Sequence, residues 1–232
     1  MRLWRWFFVS LLFVLRSHAS GCLGLYGFED QIEVLRSDPR IAIIHSFLTD
    51  EECDHLIQRA YPYLQRSEVV FDELVDEALE QIHPGRTSSG MFLERRSKDP
   101  VIWSLERKIE KLTHVPESHS EGLQILRYCL GEKYTPHYDF FDKNTPGGAA
   151  CCSRGGQRIA TLIIYLSDVE KGGETVFPKE RLAVAPIKGD ALIFFNCTAD
   201  GKEDVRSLHG SFPVLAGEKW VAVKWLREGV FE

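Results

Sequence analysis

From Leu123 onward the chain is a succession of short apolar runs cut by turn residues, and this pattern narrows the folds open to it. The runs are Leu123–Leu130, Tyr134–Phe140, Arg158–Leu166, Ala191–Phe195, Val205–Val214 and Lys219–Arg227. The cuts fall at Gly147-Gly148, Gly155-Gly156, Gly172-Gly173, Lys188-Gly189-Asp190 and Ala216-Gly217. Runs of this length bounded by glycine predict strands. Many short strands with few helices among them predict a sheet that closes on itself, as a barrel or jelly roll. The glycine- and alanine-rich stretch 144–156 reads as a flexible surface loop.

The first half reads differently. Residues 31–48 predict a strand, a turn and a second strand, with Ile41–Ile44 continued by Phe47-Leu48. Thr49 and Glu52 have the spacing of a capping box, in which each side chain satisfies an amide of the other's backbone at a helix start. The helix runs from Asp50 to Tyr63, with Cys53, Leu56, Ile57 and Ala60 facing the core and His55 facing solvent. Val69-Val70-Phe71 predicts a short strand and 73–80 a turn of helix. Arg86–Gly90 reads as a mobile loop feeding the strand Met91-Phe92-Leu93. Asp99-Pro100 opens a second helix, aspartate as cap and proline at the first helical position, with Ile102, Leu105, Ile109 and Leu112 as its stripe. Two helices before a β-rich half predict an α+β layout in which the helices buttress one face of a sheet.

Residues 1–20 stand apart. Arg2 and Arg5 precede a short apolar run, and Ser17-His18-Ala19 supplies small residues for cleavage, the layout of a secretory signal or a short membrane anchor. The run is too short to span a bilayer as a well-matched helix, which takes about 20 residues. The fold is therefore assigned to 21–232, one domain with its core at about 120–228. Entry to the secretory pathway implies the endoplasmic reticulum lumen, where some of the six cysteines could pair. Asn196-Cys197-Thr198 is a glycosylation sequon. The net charge of −6 excludes a sequence-blind nucleic-acid binder. The sequence carries no signature of an oligomeric state.

The chemistry concentrates in three places. In Pro136-His137-Tyr138-Asp139, strand alternation puts His137 and Asp139 on one face and Tyr138 on the other. A distant third ligand, His209, completes two histidines and a carboxylate. That set is associated with non-haem Fe(II) oxygenases, whose centre keeps open positions; the main rival is a zinc hydrolase, and a surface His-Tyr-Asp with no metal is the bland alternative. Lys219 follows on what reads as the next strand, an antiparallel neighbour of His209. A lysine aimed into a barrel needs an anion, and a dicarboxylic acid fits, one end on the metal and the other on the ammonium. Thr161, Ile163 and Tyr165 share one strand face, and Tyr128, Tyr134 and Thr175 offer hydroxyls nearby.

These segments resemble the prolyl 4-hydroxylase family of 2-oxoglutarate- and Fe(II)-dependent dioxygenases, in its compact plant and algal form. The resemblance covers roughly residues 40–228. It rests on Phe47–Asp54, Arg86–Gly90, Gln124–Tyr128, Pro136–Asp139, Gly156–Arg158, Tyr165–Asp168, Gly172–Pro178, Lys188–Ala191, His209-Gly210 and Lys219-Trp220. It implies a double-stranded β-helix (a jelly roll) and Fe(II) held by His137, Asp139 and His209. It implies 2-oxoglutarate bound through Lys219 with Tyr128 and Thr175, and O2 and ascorbate as further requirements. Arg86, Ser88, Glu121, Tyr134, Arg158 and Trp225 match positions lining the peptide groove. The implied reaction hydroxylates C4 of peptidyl proline and converts 2-oxoglutarate to succinate and CO2. The implied substrate is a proline-rich segment in polyproline II form. A related dioxygenase acting on another peptide residue or a small molecule, or an inactive jelly-roll binding module, are the alternatives. The segment between Val70 and Arg86, Cys129-Leu130 and the Cys151-Cys152 loop depart from the family pattern and bear on the substrate.

Overall fold

The computed structural model describes residues 25–67, 85–93 and 97–231. The leader at 1–20, Cys22, the strand expected at 69–71 and the helical turn at 73–80 lie outside them. The strands are β1 (Ile32–Arg36), β2 (Ile41–Ile44), β3 (Gln65–Arg66), β4 (Ser89–Phe92), β5 (Gln124–Tyr128), β6 (Tyr134–His137) and β7 (Arg158–Tyr165). They continue with β8 (Lys171–Gly172), β9 (Thr175–Phe177), β10 (Leu182–Val184), β11 (Ala191–Phe195), β12 (His209–Ser211), β13 (Val214–Ala216) and β14 (Lys219–Arg227). Among the described residues the α-helices are α1 (Asp50–Ala60), α2 (Pro100–Thr113) and α3 (Pro146–Cys152).

The strands form a large sheet in the order β1-β2-β11-β7-β14-β5-β4-β3, a small sheet β10-β9-β12-β6, and the ribbon β13-β8. From β5 on the chain alternates between the two main sheets: β5 large, β6 small, β7 large, β9 and β10 small, β11 large, β12 small, β14 large. All the pairings are antiparallel. This is a double-stranded β-helix.

Alternation along the strands builds two cores. On β7, Leu162 and Ile164 point to the helices, while Ile163 and Tyr165 point between the sheets. On β14, Trp220, Ala222 and Leu226 join the helix-side core, and Val221, Val223 and Trp225 the other. Both faces are covered, so all nine residues of β14 are buried. Cys53, Leu56 and Ala60 of α1 and Ile102, Leu105, Ile109 and Leu112 of α2 close the helix-side core. Each fully buried Leu or Ile there contributes about 1.5–3 kcal/mol.

The caps form as expected. Thr49 Oγ1 accepts from Glu52 N at 3.2 Å and Glu52 Oε2 from Thr49 N at 2.9 Å. Asp99 Oδ1 accepts from Val101 N at 3.0 Å. His55 is not simply solvated: its Nε2 lies 2.8 Å from Asp99 Oδ2, tying α1 to the cap of α2. Helix α1 ends at Ala60 in a 3-10 turn containing Pro62, which has no amide to continue the ladder.

Other expectations change. Residues 144–156 hold a helix, because Thr145 caps it by accepting from Gly148 N (3.0 Å) and Pro146 occupies its first position. Gly148 packs against the Asp142 carbonyl with no room for a side chain. The run Val205–Val214 splits into a 3-10 turn, β12 and β13, with the break at Phe212-Pro213. Ser89–Gly90 are already strand, paired with Arg127 and Leu126 of β5. The Asn196 side chain is fully buried, so the folded chain leaves no room for a glycan on this sequon. Among the described residues, no two cysteines are joined by a disulfide. Among the described residues, no helix is long and apolar enough to cross a membrane.

Candidate active site

His137 ends β6 and faces His209, its register partner at the start of β12. Gly210 makes this approach workable: a Cβ there would sit 2.8 Å from the Tyr134 carbonyl and 3.0 Å from Pro136 N. The strand stops at His137, and Asp139 follows two residues on, 5% exposed. Its Oδ1 lies 3.6 Å from His137 Nε2 and its Oδ2 3.5 Å from His209 Nε2. Tyr138 turns outward and stacks on Phe140 at 4.6 Å.

The tautomers are set by the backbone. His137 Nδ1 lies 2.9 Å from the Thr135 carbonyl and His209 Nδ1 3.0 Å from the Ser207 carbonyl. A carbonyl only accepts, so each Nδ1 carries a proton, and Nε2 is the ring nitrogen each histidine turns toward Asp139 and could offer to a metal. Burial pulls the His209 imidazole down to about 4, with Asp139 opposing. Burial works against ionising Asp139, but His209 and His137 beside it hold its carboxyl far below the usual carboxylate range. One carboxylate and two imidazoles, their ligand atoms within 4.8 Å of one another, could hold a metal ion.

Behind this triad a narrow pocket of about 50 Å³ runs between the sheets. Lys219, at the start of β14 and 2% exposed, closes its far end. Its Nζ donates to the Gly173 carbonyl (2.7 Å) and Ser211 Oγ (2.9 Å), and lies 5.5 and 5.7 Å from the Tyr128 and Tyr165 rings. Burial pulls the ammonium down to about 7, with Glu174 opposing. Thr175 lines the pocket, and its Oγ1 accepts from Tyr165 Oη at 2.9 Å, which frees its own proton for a ligand. Burial raises the Tyr128 phenol, against the charge of Arg86 and hydrogen bonding with Ser88 and Arg86.

In front of the triad lies a groove of about 700 Å³. Tyr134 stacks on His137 with ring centroids 3.6 Å apart, and Arg86 sits 5.0 Å from the Tyr134 ring. Burial pushes the Tyr134 phenol up to about 12. Arg158 holds Glu121 with two bonds of 2.6 and 2.8 Å and lies 4.0 Å from the Trp225 ring. Arg227 Nε is 3.1 Å from the same Glu121 carboxylate.

Residues 123–227 match the family model described as the 2OG-Fe(II) oxygenase superfamily. Probable prolyl 4-hydroxylase 10 of Arabidopsis thaliana is 42% identical over 220 residues, 86% of this chain and 72% of that one. Prolyl 4-hydroxylase 5 of the same plant is 42% identical over 225 residues, 88% and 74% of the two chains. The chain belongs to the prolyl 4-hydroxylase family. It is an enzyme of the 2-oxoglutarate-dependent oxygenase type, with Fe(II) and 2-oxoglutarate as its cofactor and co-substrate. The collagen prolyl hydroxylase of Paramecium Bursaria Chlorella virus-1, solved with 2OG, has 28% identity and a TM-score of 0.60, over 81% of this chain and 95% of that one. A Trichoplax adhaerens prolyl hydroxylase, solved with a hypoxia inducible factor peptide fragment, shares the fold at 15% identity and a TM-score of 0.54, over 98% and 94%.

The donor set fits the family's metal: two nitrogens and one carboxylate oxygen leave coordination positions free. Two expectations for this prolyl 4-hydroxylase fold are corrected by the geometry. Lys219 is not a hairpin neighbour of His209; it pairs with Tyr128 in the large sheet, and His209 lies in the small one. Both reach the pocket from opposite walls, because β13 and Pro213 carry the chain across between them. Ser88 does not line the groove. It is fully buried, donates to Ser67 Oγ (3.0 Å) and accepts from Arg86 Nε (3.3 Å), so it can reach a ligand only through Arg86 or Tyr128. Arg86, Tyr128, Tyr134, Thr175, Lys219 and Trp225 do line the pocket, and Glu121 and Arg158 the groove. Ser211 was missed, although its place two residues after His209 on one strand put it on the same face.

Proposed function

We propose that this enzyme hydroxylates C4 of peptidyl proline in proline-rich proteins of the secretory pathway. The observation that carries the reading is one pocket lined both by the triad and by the buried Lys219, next to a groove that shares His137 and Asp139 with it. His137, Asp139 and His209 would hold Fe(II). Bound iron supplies the oxidising chemistry, using O2 and 2-oxoglutarate to hydroxylate a C–H bond and release succinate and CO2. Lys219 holds the far carboxylate of 2-oxoglutarate by charge, with the Thr175 hydroxyl and the Tyr128 ring beside it. The pocket is narrow and most of its lining is buried, so each hydrogen bond made there gains strength.

In the groove, Tyr134 and Trp225 present aromatic faces suited to proline rings. Arg158, fixed by Glu121, and Arg86, braced by Ser88, offer donors to the carbonyls of an extended peptide. A polyproline II segment suits such a groove because it is already extended and its carbonyls are not used internally. Ascorbate would restore iron oxidised in uncoupled turnovers. Residues 1–20 would direct the chain to the endoplasmic reticulum lumen, as a cleaved signal or a short anchor; N-terminal sequencing of the mature protein distinguishes the two.

The test offers purified protein a proline-rich peptide with Fe(II), 2-oxoglutarate and ascorbate. A peptide mass gain of one oxygen atom, located on proline and absent with His137→Ala, is the expected result. Succinate release with every prolyl residue unmodified would sink the substrate assignment.

A further inference from the structure

Asp139 is held by more than its two histidines. Thr161 on β7 lies 2.7 Å from Asp139 Oδ2, and Asn196, one residue past the end of β11, lies 3.0 Å from Thr161 through its Nδ2. Thr161 and Asn196 are wholly buried. A carboxylate can only accept, so the single Thr161 proton points at Asp139. The Thr161 oxygen must then accept from Asn196, which fixes which end of the amide faces it. The chain of donors runs one way, from the Asn196 N–H through the Thr161 O–H to the Asp139 carboxylate.

The anchorage of Asn196 supports a fixed role. Its backbone N–H donates to the Ile159 carbonyl at 2.9 Å, and its carbonyl accepts from Asp204 N at 2.8 Å. Its Oδ1 has no hydrogen-bond partner among the described residues. A side chain needed only for packing would not bring a polar oxygen to a buried place without an acceptor's reward. The N–H end is the part the fold uses.

We propose that Asn196 is a positioning residue which, acting through Thr161, sets the rotation of the Asp139 carboxylate presented to the metal. The inference rests on Asp139 being a metal ligand. Partners of this kind behind a ligand change metal affinity by about 10–100-fold when removed.

Mn(II) titration of the metal-free full chain, by calorimetry, tests it without turnover. Thr161→Val should weaken Mn(II) binding about 10–100-fold, and Asn196→Ala, one step further out, by about 3–10-fold. Thr161→Ser, which keeps the hydroxyl, should stay within about twofold of wild type. In the Thr161→Val background, Asn196→Ala should add nothing, because its route to Asp139 is gone. Melting temperatures of the metal-free variants check folding, and Asn196→Leu, close in volume, replaces Asn196→Ala if that variant does not fold. Wild-type affinity in the Asn196 variant, or an Asn196 effect undiminished in the Thr161→Val background, overturns the inference and leaves the triad standing. Equal Mn(II) binding by wild type and His137→Ala overturns the triad and the inference together.

Discussion

The Lys219 ammonium donates to a carbonyl and a hydroxyl and lies 5.5 and 5.7 Å from two aromatic rings. Burial brings it down to about 7. A bound dicarboxylate raises it again, so above pH 7 binding takes up a proton. Affinity for 2-oxoglutarate should therefore be level below about pH 7. It should fall by up to about tenfold per pH unit above that, until the pKa of the bound state is reached. Calorimetric titration between pH 6.5 and 9 reads this slope (window set by the value of about 7). Lys219→Met should bind weakly and lose the slope. Lys219→Ala should raise the KM for 2-oxoglutarate about 100-fold or more, the scale of removing one partner of a buried charge pair, and leave the peptide KM within about twofold. Equal effects on both would contradict its role. Lys219 was legible because a lysine on an apolar strand demands a reason. Asn196 was not: it was read only as part of a sequon, and only the packed fold shows that its amide is buried against Thr161.

The site depends on β12 lying close against β6, and Gly210 is what permits it. Gly210→Ala should push the strands apart, separate His209 from His137, and cost about 1–3 kcal/mol, the range for overpacking. Urea denaturation measures the stability loss and Mn(II) titration the damage to the triad. Unchanged metal affinity would show that the strand spacing does not control the ligands. The caps of α1 and α2 were readable because Thr-x-x-Glu and Asp-Pro act locally. The helix α3 carried a comparable signal in Thr145-Pro146, but its glycines and alanines outweighed it. The short strands β8, β9 and β10 could not be read, since two or three residues show no alternation. For the same reason His209 and Lys219 looked like hairpin neighbours: nothing local reveals that β13 carries the chain across to the other sheet.

The molecule is held as three layers, helices on the large sheet and the large sheet on the small one. A buried ion pair pins the first of these contacts: Lys224 on β14, 1% exposed, donates to Glu106 on α2 at 2.6 Å. Glu106→Ala strands that ammonium and should destabilise the fold by about 3–5 kcal/mol, whereas the double change Lys224→Met with Glu106→Leu should be neutral or stabilising by about 1–4 kcal/mol. Guanidinium denaturation compares them, and a double variant weaker than the single would contradict the account. The closed sheet and its helical support were visible in the sequence as turn spacing and caps. Which face each strand shows to which layer was not, because both faces of β7 and β14 are covered and the hydrophobic alternation is erased. That double cover gives β14 a further property. Lys219 and Trp225 lie on one face, and Trp220 and Lys224 on the other, so the strand is read like a frame with two settings. A slip of one residue would turn Lys219 out of the pocket and put Trp220 in its place. A β14 slipped by one residue would therefore lose the lysine from the pocket as well as its packing, and on refolding, catalytic activity should return in step with the native tryptophan signal.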